Sequence, residues 1–298
     1  MRIDLMAGAT NSATNSATRA AMRPAHHLPP VILVFDSGLG GLTVLEQVRR
    51  ARPDAAYLYA ADDAAFPYGR LSEPQLVARV LTVMERLIAL HSPDLVVIAC
   101  NTASTVVLPA LRQRFVTPFV GVVPPIKPAA ALTRSGLVSL LATPGTVARA
   151  YTRDLVKSYA ATCTVSLVGS VNLARYAEAE MAGAKVADSD ILAEIAPCFD
   201  EREDGRRTDV VCLSCTHYPL LLSRFERLAP WPVTWIDPAP AIARRVVQLM
   251  GEPADAPDAP EGLAVFTGGT GLNSALARAL AGRGLAETVV EAMPLTAD

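Results

Sequence analysis

From residue 31 onward, short apolar runs alternate with segments whose apolar residues recur every three or four positions. Val31–Phe35, Ala56–Ala60, Asp94–Ala99 and Phe119–Val123 read as strands. Between and after them, TVLEQVRRA, Gln75–Leu90 and TVVLPALRQRF read as helices; in the second of these Leu76, Val80, Val83, Met84 and Leu87 share one face. Pro124, Pro125 and Pro128 interrupt the pattern, and a second cycle follows. Its predicted strands are Leu137–Ala142, Thr164–Val168, Asp209–Ser214 and Val233–Ile236. Its predicted helices are VARAYTRDLV, Ile191–Phe199 and LLLSRFERL. DPAPAIARRVVQLM predicts a helix with Asp237 as cap and Pro238 at its first position. Leu263–Thr267 and a last helix near Asn273–Ala281 close the chain, and EREDGRR and EPADAPDAPEG read as surface loops. Strands that are apolar throughout, rather than alternating, are buried on both faces, which is the property of a parallel sheet covered by helices. The expected fold is therefore α/β, with two pseudo-symmetric domains, each a mainly parallel sheet flanked by helices, and a cleft between them. The proline break and the repeat described next divide the chain into 31–123 plus 238–298 and 124–237.

The two cycles are related. Asp94-Leu-Val-Val-Ile-Ala-Cys100 lines up with Asp209-Val-Val-Cys-Leu-Ser-Cys215, each a strand delivering a Cys to its carboxyl end six residues after an Asp. Upstream, strand–DSG–helix at Asp36 matches strand–TPG–helix at Thr143. Ligands of open α/β sheets bind outside the carboxyl ends of the strands. A Cys there, with a helix starting just after it, meets unpaired N–H groups and a positive dipole end, both of which favour thiolate. Ionising an ordinary thiol of pKa ~8.5 at pH 7 costs roughly 2 kcal/mol, much of which a helix start can supply. Two thiols on opposite sides of one ligand suit stereoinversion of a carbon acid: one removes a proton from one face, and the other returns a proton to the opposite face.

Composition narrows the field. The 298 residues are 51% apolar and 19% charged, enough for a buried core. A net charge of −2 and 5% aromatic residues give no footprint for a nucleic-acid partner. No run is long and apolar enough to predict a membrane span. Residues 1–30, rich in Ala, Ser, Thr and Asn, lack a signal-peptide core and read as a disordered tail. Five cysteines make a sparse, odd set, so a reducing cytoplasm is expected rather than a disulfide framework.

Each candidate has a plain alternative. Cys163, Cys198 and Cys212 sit where core cysteines do. Cys212-Leu-Ser-Cys215 is formally a CxxC, but it lacks two further zinc ligands, and Cys212 lies inside the strand, where a redox pair would not. Asp36 is either a helix cap or a carboxylate beside a reacting ammonium, and His217 either a turn residue or a proton relay for Cys215. DSGLGG has Thr43 at the third glycine position of a dinucleotide fingerprint. Tyr68-Gly69 reads as a loop, and TGGTG at 267–271 as a turn.

FDSGLGGLTVL, DDAAFPYGRLS, ACNTAS, GVVPPIKPA, LLATPGTVARAYT and CTHYPLL together resemble the glutamate racemases of the cofactor-independent aspartate/glutamate racemase family, over nearly all of the chain after Pro30. The resemblance implies an isomerase that interconverts L- and D-glutamate and supplies D-glutamate for peptidoglycan. It implies Cys100 as the base for D-glutamate and Cys215 as the base for L-glutamate, assisted by Asp36 and His217. Asp36, Ser37, Tyr68, Gly69, Asn101, Thr102, Thr216 and His217 would hold the substrate; Asp62 and Glu178 match auxiliary acidic positions. Two departures stand out: Ser214 where many members have Gly, and Pro124 where many have Glu. The latter resembles the proteobacterial branch, some of whose members respond to a nucleotide cell-wall precursor. A homodimer is compatible with the resemblance. No cofactor and no metal are expected: of the three lysines, Lys127, Lys157 and Lys185, none stands at a strand end with a phosphate cradle for pyridoxal. A racemase for aspartate or another carbon acid, and a non-catalytic binding module using the same cleft, are the competing readings.

Overall fold

A computed structural model describes residues 29–254, 261–269 and 271–293. The tail read at 1–30 lies outside them up to residue 28, as do residues 255–260 of the EPADAPDAPEG loop and Thr270 of TGGTG.

The first cycle runs β1 (Val31–Asp36), α1 (Leu42–Ala51), β2 (Ala56–Ala61), α2 (Glu73–His91), β3 (Leu95–Ile98), α3 (Asn101–Arg114) and β4 (Phe119–Gly121). The second opens with α4 (Ile126–Leu132), then β5 (Leu137–Ala142), α5 (Pro144–Ala148), α6 (Ala150–Tyr159), β6 (Thr164–Gly169), α7 (Leu173–Met181), α8 (Asp188–Ile195), β7 (Val210–Ser214), α9 (Leu222–Leu228) and β8 (Thr234–Ile236). The chain then returns through α10 (Ala239–Met250), β9 (Gly262–Phe266), α11 (Ser274–Ala281) and β10 (Leu285–Val290).

Two sheets result, in the orders β10-β9-β2-β1-β3-β4 and β6-β5-β7-β8, and every strand pair in both is parallel. Alternate residues of β1 enter different cores: Ile32 and Val34 pack into one, Leu33 and Phe35 into the other. In β7, Val211 and Leu213 face one core while Val210 and Cys212 face the other. The unbroken apolar runs are thus the signature of strands with helices on both faces. The repeat is architectural as well: β2-β1-β3-β4 and β6-β5-β7-β8 have the same order, and the strand order reverses between β1 and β3 and again between β5 and β7. Asp36 and Cys100 lie at the carboxyl side of the first reversal; Thr143 and Cys215 lie at the second.

The structure differs from the sequence reading in five places. The proline segment at 124–128 contains α4, with Pro125 at its cap and Pro128 in its first turn, where a missing N–H costs nothing. VARAYTRDLV is two helices, broken at Arg149, whose ψ of 142° is extended. Pro238 is the cap of α10 rather than its first residue; Asp237 still serves the helix end, its Oδ1 accepting the Ala239 N–H at 2.9 Å. α7 carries too few marked positions to have been read. β10 was missed because it is an edge strand whose middle residues are exposed and polar, so no apolar run marks it.

Candidate active site

Strand ends position the residues. Where β1 stops, Asp36 turns its carboxylate back over DSGLGG: Oδ2 accepts the N–H groups of Gly41 at 3.0 Å and Gly38 at 3.4 Å. A Cβ on Gly41 would sit 2.7 Å from Asp36 Cβ, so this tight turn needs glycine there. Asp36 therefore ties the turn that leads into α1, whose cap residue is Gly41, and it also reaches across to the other half, where Thr216 Oγ1 donates to Oδ1 at 3.3 Å. Beyond β3, Cys100 is the cap residue of α3, and its sulfur lies 3.8 Å from Ser37 Oγ. Beyond β7, Cys215 Sγ lies 3.7 Å from His217 Nδ1. The opposite ring nitrogen, Nε2, lies 2.8 Å from Glu178 Oε1. That oxygen also accepts the Leu39 N–H at 2.8 Å, so Glu178 fastens α7 to the loop after β1.

The two halves meet along a seam of such contacts. Thr43 Oγ1 donates to the Thr216 carbonyl at 3.2 Å. Thr102, Thr143 and Thr146 form a closed ring of hydroxyls at 3.0, 3.3 and 3.0 Å. The Tyr68–Gly69 and Thr143–Gly145 turns touch through their glycines, Gly145 standing against the Gly69 backbone. Arg149 forms an ion pair with Glu73 at the start of α2. Cys100 and Cys215 are 6% and 7% exposed, and Asp36, Ser37, Asn101, Thr102, Thr216 and His217 are as deeply buried. Within this buried layer, neither polar atom of the Asn101 amide has a hydrogen-bond partner. Leaving such a group unmatched costs about 1–3 kcal/mol, so its position at the start of α3, beside Cys100, marks it as available to a ligand.

The electrostatics of the two thiols differ. Burial pushes the Cys100 thiol well up, and the nearby Asp36 carboxylate pushes it further; the N–H of Ala103 at the start of α3 and the Ser37 hydroxyl oppose this without overcoming it. The expectation that a helix start would lower both thiols is corrected for Cys100: dehydration and a like-signed neighbour outweigh the dipole. Cys215, by contrast, is not itself a cap residue: a 3₁₀ turn at Tyr218–Leu221 follows it and runs into α9. Burial by itself would discharge His217, but its hydrogen bonds to Cys215 and Glu178 win and hold it protonated well above the usual histidine range. With both nitrogens protonated, Nε2–H donates to Glu178; the Gly40 N–H, also aimed at Nε2 from 3.2 Å, is then a close approach and not a bond. Burial raises the Asp36 carboxyl, with His217 pulling the other way.

The structure uses two of the candidate residues differently. The Tyr68 hydroxyl donates to Asp62 Oδ2 at 2.5 Å, so what the Tyr68-Gly69 turn presents toward the second half is backbone. Asp62 is fully buried, paired with Arg79 Nε at 2.9 Å and accepting from Thr267 Oγ1 at 2.7 Å, so it anchors that turn. Cys198 and Cys212 are core residues whose thiols burial raises to about 12, and Cys163 packs at a core edge. Sequence reasoning missed Thr143 and Thr146, although the match of TPG to DSG already placed them at the equivalent strand end. It also missed Phe66, Glu73 and Arg149, which no periodicity marks.

A family model described as Asp/Glu/hydantoin racemase matches residues 42–246. The chain is 57% identical over 241 residues to the glutamate racemase of Agrobacterium fabrum, covering 80% of this chain and 88% of that protein. It is 58% identical over 220 residues to the glutamate racemase of Brucella anthropi, covering 74% and 79%. Among solved structures it is similar to Escherichia coli glutamate racemase in complex with L-glutamate and the activator UDP-MurNAc-Ala, at a TM-score of 0.81 and 41% identity over 89% of this chain and 98% of that one.

Proposed function

Because this chain belongs to the Asp/Glu/hydantoin racemase family and is an isomerase, we propose that it interconverts L- and D-glutamate by proton transfer between two cysteines and the α-carbon. The observation that carries the mechanism is the meeting of the two switch points, each with its thiol, in one buried polar layer.

In the L-to-D direction Cys215, as thiolate beside the His217 imidazolium, takes the α-proton of L-glutamate. The electron pair stays on the α-carbon, and the Cys100 thiol gives its proton to the opposite face. D-Glutamate leaves Cys100 ionised and Cys215 protonated. The reverse reaction runs the same steps backward, and Asp36 and His217 move the proton needed to reset the pair. The raised Cys100 thiol suits this role, because the group that must donate should hold its proton until the carbanion forms. The unmatched Asn101 amide, the Thr102–Thr143–Thr146 hydroxyls and the N–H groups opening α3 suit the substrate carboxylates; Asp36 and Ser37 suit the ammonium. Tyr68-Gly69 would contribute backbone groups, and Thr216 would orient Asp36.

The surrounding assignments follow from the same reading. Residues 31–123 plus 238–298 and residues 124–237 would move as two units, opening to admit substrate. The enzyme would work in the cytoplasm and supply D-glutamate for peptidoglycan; among the described residues no helix is long and apolar enough to cross a membrane. Since the E. coli relative was solved with UDP-MurNAc-Ala, that compound is the regulator to try first. Circular dichroism of L-glutamate incubated with the reduced protein tests the central claim. Loss of the signal to zero, with one deuterium entering the α-position in deuterium oxide, is expected; an unchanged signal overturns it.

A further inference from the structure

One aromatic side chain from the first half touches the second half's imidazole, and neither the motif reading nor the proposed mechanism uses it. Phe66, in the loop between β2 and α2, places its ring centroid 5.5 Å from that of His217, the planes tilted by 44°. A Cβ built on Gly38 would lie 3.0 Å from Phe66 Cδ2 and 2.1 Å from Glu178 Oε1, so the phenyl ring, Gly38 and the Glu178 carboxylate converge on one spot beside the imidazole.

We infer that Phe66 is a positioning residue for the reaction: its ring, supplied by the opposite half, holds the His217 imidazole in the orientation that reaches Cys215 with one nitrogen and Glu178 with the other. The inference rests on the racemase reading above. Its physical basis is the direction of the restraints. Cys215 and Glu178 bind the two nitrogens and act largely within the plane of the imidazole. The sulfur contact, at 3.7 Å, is long and loses geometry quickly if the ring rotates. Rotation out of plane must be resisted by packing against the ring, and an aromatic neighbour at this distance supplies that at little entropic cost. Because β2 and its following loop belong to the first half and His217 to the second, the imidazole is fixed only when the halves are together. Closure and alignment of the proton relay then become a single event.

The test is kinetic and spectroscopic on the full chain. Phe66→Leu keeps an apolar side chain but removes the flat ring; Phe66→Tyr keeps the ring. Initial rates with both glutamate enantiomers, thermal melting, and the NMR titration of His217 (one of four histidines, assigned by His217→Asn) are measured for each. For Phe66→Leu a loss of about tenfold in kcat/KM is expected, carried by kcat, with a displaced His217 titration and an unchanged melting temperature. Phe66→Tyr should restore both rate and titration. The inference is overturned if Phe66→Leu matches wild type, or if its loss lies wholly in KM or in melting temperature with the His217 titration unmoved. A wild-type chain that does not racemise glutamate sinks the underlying reading instead.

Discussion

The two halves use one scaffold to set two thiols in different surroundings. Both place a thiol beyond the third of four strands in the same order. In the first half the thiol caps a helix of 14 residues and sits near a carboxylate and a hydroxyl. In the second it is followed by a turn and sits against an imidazole backed by a carboxylate. The thiol at the longer helix start is nonetheless pushed up, by burial and by the Asp36 carboxylate. A helix end is worth about 0.3–1 kcal/mol at a surface and up to ~2 when partly buried. Burial can shift a group by up to ~3–5 pKa units, at about 1.4 kcal/mol each. Dehydration and the charge of the nearest side chain therefore decide the protonation of such a thiol, and the backbone decides only where it stands.

Removing either thiol should break the pair most severely. Cys100→Ala and Cys215→Ala should each lower racemisation by ~10⁴-fold or more, the upper range for a positioned acid or base. The survivors should differ: the Cys100 variant should still exchange the α-hydrogen of L-glutamate with deuterium oxide, and the Cys215 variant that of D-glutamate. Mass spectrometry of each enantiomer reads this out, and exchange of the opposite hand would reverse the assignment. Asp36→Asn and His217→Asn should follow, at about 10²–10³-fold. Here kcat/KM must fall by the same factor in both directions, since the enantiomers have equal free energy. The two variants should instead be told apart by which limb of the pH profile moves.

Chemical labelling sharpens the comparison without mutation. A raised thiol keeps its proton as pH rises, so Cys100 should be alkylated slowly by iodoacetamide at pH 7 and progressively faster toward pH 9–10. Peptide mass spectrometry against pH checks this, and rapid labelling of Cys100 at pH 7 would contradict the burial argument. Glu73→Gln removes the partner of Arg149 across the seam. Glu73 is 63% exposed at its side chain, so the loss should be at most ~1 kcal/mol, seen as a several-fold higher KM with melting temperature nearly constant. Smallest is Ser214→Ala. Its hydroxyl is fully buried without a partner, so removing it should stabilise the protein by about 1 kcal/mol and leave the rate unchanged.

How much was legible varied with the kind of signal. The strands that carry Asp36, Cys100 and Cys215 are apolar on both faces and were plain from composition, and the Asp-to-Cys spacing exposed the duplication. Thr143 was placed by the same repeat, yet its role was not seen, because a threonine opening a helix is indistinguishable from an ordinary cap. α7 and β10 escaped because one is short with few marked positions and the other is a half-exposed edge. Glu178 could be suspected only through resemblance, since nothing local sets it apart from Glu180.

The linear chain determined most of the elements, the doubling and the two strand-end cysteines, because these depend on periodicity and on spacing within thirty or so residues. Tertiary structure decided which charge each sulfur meets. Glu178 reaches His217 within the second half, while Phe66 lies beside that same ring and Arg149 finds Glu73 across the seam, all between residues far apart in the chain. Such pairings depend on how two sheets are oriented toward each other, and orientation is fixed by packing of whole surfaces rather than by any local run of residues.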